Sequence, residues 1–184
     1  MPGEQPGELE IDGTFFAFPD HWDVDVFDTW NQFAKAAGEL GLQGCDVVAC
    51  GDGALWIIEM KDYTYDGADQ PQDLARTVGL KAAGTMATLY ALQRSTAQSA
   101  AQEFAVRSAG ASRIHLVLHV EVKDGGRKAK QIRAVLMPLE MKLKKVGKAL
   151  GLSASYVTST LAPDPRTPWT ARRDPSTRAQ HRDR

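Results

Sequence analysis

Asp46, Glu59 and Lys61 are the residues of this 184-residue chain whose types and spacing can do chemistry. They flank two runs rich in β-branched and apolar residues, joined by Asp52-Gly53, a dipeptide that tolerates the positive φ of a two-residue hairpin loop. With that loop, Gly51 faces Ala54 and Cys50 faces Leu55, and the same register sets Asp46 opposite Glu59. Opposed residues carry their Cβ atoms about 4.5–5.5 Å apart on one side of a sheet, and Lys61, two positions on, joins that side. Two carboxylates so placed destabilise the pairing and raise at least one pKa. A divalent cation removes the conflict: Mg²⁺ takes one or two carboxylates and completes its shell with water and phosphate oxygens. A neighbouring ammonium can then stabilise phosphate charge or act on the attacking water. The other account of these residues is an acidic pair at an exposed strand end, with Lys61 as its neutralising partner.

The elements that must hold this group can be read on either side of it. Residues 8–11 and 14–17 alternate around Asp12-Gly13 and predict a short hairpin. Between Pro19 and Leu40, Phe27, Trp30, Ala34 and Ala37 recur at helical steps and Gly41 follows as a C-cap, so a helix is expected over residues 23–40. Asp28 and Glu39 lie off that apolar stripe and read as solvent-facing. A second helix is expected over residues 72–93, on a stripe of Leu74, Val78, Thr85, Leu89 and Leu92. Lys81 falls inside the stripe, where a lysine must snorkel outward or meet an anion.

Residues 95–108 read as helical, and residues 114–122 alternate as a half-buried strand with His115 and His119 on one face. Four residues at about 3.3 Å separate the two imidazoles by about 13 Å, too far to share an ion, so they read as exposed or helix-covered side chains. After a turn at residues 123–128, a strand is expected over 131–137 and a basic amphipathic helix over 139–150. Residues 1–152 are then one α/β domain with a flexible start at 1–8, built on a central mixed β-sheet flanked by helices. Residues 153–184, rich in proline and arginine, read as a disordered tail in which Trp169 is an anchor to the domain or to another chain.

Asp46, the hydrophobic hairpin and Glu59-Met60-Lys61 together resemble the core signature of the PD-(D/E)XK nuclease superfamily. Cys45 stands where that pattern often has proline. The resemblance spans residues 24–136, most closely at the hairpin and the helix after it. It implies a restriction-endonuclease-like core and metal-dependent hydrolysis of phosphodiester bonds, most readily in DNA. It further implies Mg²⁺ or Mn²⁺ held by Asp46, Glu59 and the backbone carbonyl of Met60, with Lys61 assisting the nucleophilic water and Lys81 reaching substrate phosphate.

Charge is distributed unevenly. The first 75 residues hold sixteen acids against Lys35 and Lys61, a net of −14, and the remainder carries +13. Nine bases against two acids between Lys123 and Lys148 suit a nucleic-acid backbone, and equally an ordinary solvated face. No apolar run reaches the roughly 18 residues of a membrane span. The two cysteines, Cys45 and Cys50, stand at odd separation, which in a strand places them on opposite faces, so a reducing cytoplasm is the expected setting. The tail is a candidate contact for a homodimer or a larger complex. Two rival functions stay open: a catalytically inactive nuclease-like subunit that only binds nucleic acid in a defence or repair assembly, and a protein-interaction module with an acidic face.

Overall fold

Two Asp-Gly turns begin the architecture. In the computed structural model, which describes residues 8–65, 71–123 and 125–174, Asp12 and Gly13 adopt φ of 49° and 77°, and Asp52 and Gly53 adopt 50° and 71°. Positive φ at both central positions matches the right-handed twist of the flanking strands. The first turn joins β1 (Glu8–Ile11) to β2 (Thr14–Ala17), and the second joins β4 (Val47–Gly51) to β5 (Ala54–Tyr63). Both registers agree with the sequence reading, Gly51 against Ala54 and Val47 against Ile58.

The main sheet has five strands in the order β3 (Asp23–Val26), β4, β5, β6 (Arg113–Val122), β7 (Ala154–Thr158). β3, β4 and β5 are antiparallel neighbours, whereas β5, β6 and β7 run parallel, so the sheet is mixed. Parallel neighbours need long crossovers. The first contains α2 (Leu74–Leu92) and α3 (Ala100–Ser108), and the second is α4 (Ala129–Ala149). Together with α1 (Asn31–Leu40), all of these helices bury their apolar residues on one face, where Phe33, Val78, Leu89, Phe104, Leu136 and Leu143 meet Val48, Ile57, Leu116 and Val157.

Helices do not cover the other face. A three-stranded sheet, β1-β2-β8 with β8 at Thr170–Arg173, lies over it, and Phe16, Trp22 and Trp169 pack on Val47, Trp56, Ile58 and Val117. The molecule is an α/β fold of three layers: helices, mixed sheet, small antiparallel sheet.

Four expectations change. Residues 23–26 are an edge strand and Phe27–Thr29 a single 3-10 turn, so only residues 31–40 are helical, ending at Gly41 with φ of 63°. Residues 131–137 are helical too: α4 runs unbroken through Pro138, whose exposed ring forfeits one backbone hydrogen bond without ending the helix. The expected disordered tail supplies β7 and β8 instead, and Trp169 anchors it to the domain, 5.2 Å from both the Trp56 and Phe18 rings. Last, the backbone bends at Asp46, so Cys45 turns toward the helix side and shares that core with Cys50; both thiols are free. Residues 1–7 and 175–184, with the first part of the expected flexible start and the end of the tail, lie outside the described residues, as does Asp66-Gly67 of the loop after β5.

Candidate active site

β5 alternates faithfully. Trp56, Ile58 and Met60 face the small sheet, and Leu55, Ile57 and Glu59 face the helices. A hydrophobic strand therefore carries one carboxylate into an apolar layer, and Glu59 is fully buried. Asp46 reaches the same side through the bend ahead of β4. Its amide donates to Ile58 O at 3.1 Å, its carbonyl accepts from Phe27 N at 2.9 Å, and its Oδ2 accepts from Met60 N at 2.6 Å. Three hydrogen bonds, two to β5 and one to the Phe27 turn, thus fix Asp46 beside Glu59.

Helix α2 closes the site. It starts at an N-cap in which Asp73 accepts from Arg76 N at 3.2 Å. Where it crosses the Asp46 approach it must come very close, because a Cβ on Gly84 would stand 1.9 Å from Gln43 O. One residue further, Thr85 Oγ1 accepts from Cys45 N at 2.9 Å and donates to Lys81 O at 3.1 Å. The threonine ties the helix backbone of Lys81 to the segment that carries Asp46.

The lysine on the apolar stripe has met its anion. Lys81 Nζ donates to Glu59 Oε1 at 2.6 Å and lies 3.9 Å from Asp46 Oδ1. Lys61 Nζ is also 2.6 Å from Glu59 Oε1. Two ammoniums share one carboxylate oxygen, while Glu59 Oε2 is buried with no hydrogen-bond partner among the described residues.

The electrostatics follow from this crowding. Burial and then the charge of Glu59 push Asp46 up to about 7, against the opposing pull of the Met60 amide, Lys81 and Lys61. For Lys61, burial alone would lower the pKa, but the charge and hydrogen bond of Glu59, with Asp46 behind them, leave it raised. Lys61 is therefore an ammonium at neutral pH, a donor and not a base. Cys45, beneath the pair, has its thiol pushed well up by burial and by both carboxylates, and is a poor nucleophile.

Asp46, Glu59, Lys61 and Lys81 thus come together. Asp28, expected to face solvent, is indeed exposed, in the 3-10 turn next to Phe27, whose amide donates to the Asp46 carbonyl. Its carboxyl is raised, first by desolvation and further by Glu59, with Lys81 pulling the other way, so it shares the field of the site. Glu39 stays on the exposed end of α1.

A divalent cation would find two adjacent carboxylates, one orphaned carboxylate oxygen, and a place where a positive charge already stands between them. These donors fit Mg²⁺ or Mn²⁺, which take few protein ligands. Among the described residues, no three His, Cys, Asp or Glu side chains gather into an all-protein cage.

The histidines of β6 serve otherwise. Both are buried under the small sheet: His115 lies 4.3 Å from the Trp56 ring, and His119 lies 4.9 Å from Phe16 and 2.6 Å from Glu121 Oε1. Glu121 also accepts from Thr160 N and Oγ1, and these bonds outweigh burial to hold its pKa below the usual range.

The basic segment needs a second correction. Arg133 and Lys144 of α4 are engaged with Glu140 at 2.7 Å each, and Arg133 also binds Asp164. The other α4 lysines, including Lys142, Lys145 and Lys148, are exposed. No described helix is long and apolar enough to cross a membrane.

Comparison with known proteins finds no matching family model, no matching curated protein and no matching solved structure. The functional reading rests on the geometry.

Proposed function

We propose that this chain is a metal-dependent nuclease of the PD-(D/E)XK type that hydrolyses phosphodiester bonds, most readily in DNA. The observation that carries the proposal is the pairing of the fully buried Glu59 with the partly buried Asp46, raised to about 7, around Lys81, with Glu59 Oε2 left unpartnered among the described residues. A buried polar atom without a partner calls for an explanation such as an ion, and strongly shifted carboxyls cluster at functional sites. The antiparallel β4–β5 hairpin, followed by a helical crossover to parallel β6, supports the restriction-endonuclease-like core that the resemblance implies.

In this reading Asp46 and Glu59 hold Mg²⁺ or Mn²⁺, with the Met60 carbonyl as the third protein ligand that the resemblance adds. The bound ion would polarise the scissile phosphate and lower the pKa of a water. Lys61, kept charged by Glu59, donates to the attacking water or to a phosphate oxygen and offsets negative charge as it develops. Lys81 neutralises a phosphate oxygen from the helix side. The layer of apolar residues beneath Glu59 strengthens these interactions by excluding water. Exposed lysines of α4 offer sequence-independent contacts to the backbone of the nucleic acid. The two unbridged cysteines agree with a reducing, cytoplasmic setting.

A second reading has its own observation. With Lys81 closing the gap between the carboxylates, the same domain could bind nucleic acid or a protein partner without cutting. One experiment separates the two: linear, circular and single-stranded DNA and RNA are incubated with the protein in Mg²⁺, Mn²⁺ or EDTA, beside Glu59→Ala and Lys61→Ala. Cleavage is expected with metal, lost in EDTA, and reduced at least about 100-fold in either variant. Cleavage that survives both substitutions overturns the mechanism, and no cleavage of any substrate leaves the binding reading.

A further inference from the structure

Glu59 Oε1 receives two ammoniums, yet the two lysines are not equivalent. Lys61 extends from the same strand as Glu59, and the only carboxylate it contacts among the described residues is Glu59. Lys81 comes from the opposite wall and stands between the two acids, 2.6 Å from one and 3.9 Å from the other. Its backbone is pinned by Thr85, whose hydroxyl also receives the amide next to Asp46, and Gly84 lets the helix approach without a gap. A single positive charge is held where two negative charges converge.

We propose that Lys81 is a tethered counter-ion that occupies the cation position of the site in the metal-free protein and competes with the divalent ion for it. This inference rests on the metal-binding reading given above. Lys81 stabilises the two carboxylates when no metal is bound, and it weakens metal binding because its ion pairs with Glu59 and Asp46 must break before the ion enters. Its four-carbon stem lets the ammonium move away while the helix backbone stays fixed by Thr85. A substrate phosphate supplies the displaced ammonium with a new anion, so metal and nucleic acid favour one another's binding, and reciprocally so.

The test is Mn²⁺ titration calorimetry, without nucleic acid, on wild type, Lys81→Met, Lys81→Gln and Lys81→Arg, paired with thermal unfolding with and without Mn²⁺. Removing the competing charge tightens Mn²⁺ binding about tenfold in Lys81→Met and Lys81→Gln, whereas Lys81→Arg keeps the charge and stays within about threefold of wild type. The two neutral variants melt below wild type without metal and gain more from it. The second neutral variant guards against a methionine that disturbs folding. Equal affinity in wild type and both neutral variants overturns the counter-ion role while leaving the metal site standing. No Mn²⁺ binding in any neutral variant overturns the metal reading together with this inference.

Discussion

Two charged clusters of this protein use nearly the same residue types and reach opposite ends. Behind α4, Glu140 and Asp164 meet Arg133, Arg166 and Lys144. Glu140 Oε1 is 2.8 Å from Arg166 and 2.7 Å from Lys144, Glu140 Oε2 is 2.7 Å from Arg133, and both Asp164 oxygens are engaged by guanidinium groups. Burial by itself would raise Asp164, yet Arg166 and Arg133 hold it at about 2. In the β5–α2 cluster the acids outmatch their donors: Asp46 is raised to about 7 and one oxygen of Glu59 has no donor among the described residues. The planar guanidinium can fork across two carboxylates, whereas each lysine brings a point charge to one oxygen. The first arrangement is a clamp joining α4 to the segment before β8, and the second leaves its carboxylates less fully paired, as the proposed cation site requires.

The sharpest break of this contrast comes from the clamp. Asp164→Ala leaves Arg133 and Arg166 without their buried anion and costs about 3 kcal/mol, since removing one member of a buried pair strands the other. For a chain of this size that lowers the melting temperature by roughly 6–12 °C, readable by calorimetry. Because the folded pKa of Asp164 is depressed, its stabilisation is present above the ordinary carboxylate range and is lost as pH falls through about 2. Metal-dependent cleavage well below the melting temperature stays intact. A loss of cleavage without a loss of stability would mean that the two clusters are not separate.

Asp46 carries the opposite sign. A folded-state pKa raised from 3.8 to about 7 means that the native state binds the proton more tightly, so stability falls as pH rises between those values. At about 1.4 kcal/mol per unit the penalty is somewhat over 4 kcal/mol above neutrality. Asp46→Asn keeps an acceptor for the Met60 amide and cannot ionise. Metal-free, it is expected to melt above wild type at pH 8 and close to it at pH 4. Saturating Mn²⁺ reverses the order at pH 8, because only wild type gains binding energy. A variant less stable than wild type at pH 8 without metal would show that Asp46 is as well satisfied as Asp164. At sub-saturating Mn²⁺ the affinity of wild type for the ion should weaken as pH falls below about 7, because proton and metal compete for Asp46.

How much of this could be read in the sequence depends on the range of the interaction. The two Asp-Gly turns and the Asp46–Glu59–Lys61 grouping were legible because a hairpin is local and its register follows from the loop. Lys81 announced itself as a cation on an apolar stripe. By contrast, β7 and β8 pair with strands from far along the chain, and nothing within a proline- and arginine-rich segment marks that outcome. Residues 131–137 read as a strand, yet α4 runs through them and through Pro138, whose ring lies on its exposed side. The clamp was invisible for a related reason: Arg133 and Glu140 are seven residues apart on one helix, but the carboxylate that completes the group arrives from Asp164. Counting bases therefore overstated the charge free for phosphate, since Arg133 and Lys144 already have partners.

The smallest expected effect tests how redundant the clamp is. Lys144 reaches Glu140 Oε1 at 2.7 Å across one helical turn, and its side chain is half exposed. Pairs of this kind contribute about 0.3–0.5 kcal/mol, and solvent screening reduces them further. In Lys144→Ala the same oxygen keeps Arg166, and the other oxygen keeps Arg133, so Glu140 remains ionised and the melting temperature moves by no more than about 2 °C. High salt should shrink even that difference, because the pair lies at the surface. Among the described residues Lys61 and Lys81 have no such reserve, since Glu59 has only these two donors for one oxygen and none for the other. If Lys144→Ala were to cost as much as Asp164→Ala, Glu140 would depend on lysine as Glu59 does, and the distinction between a satisfied clamp and an under-satisfied site would fail.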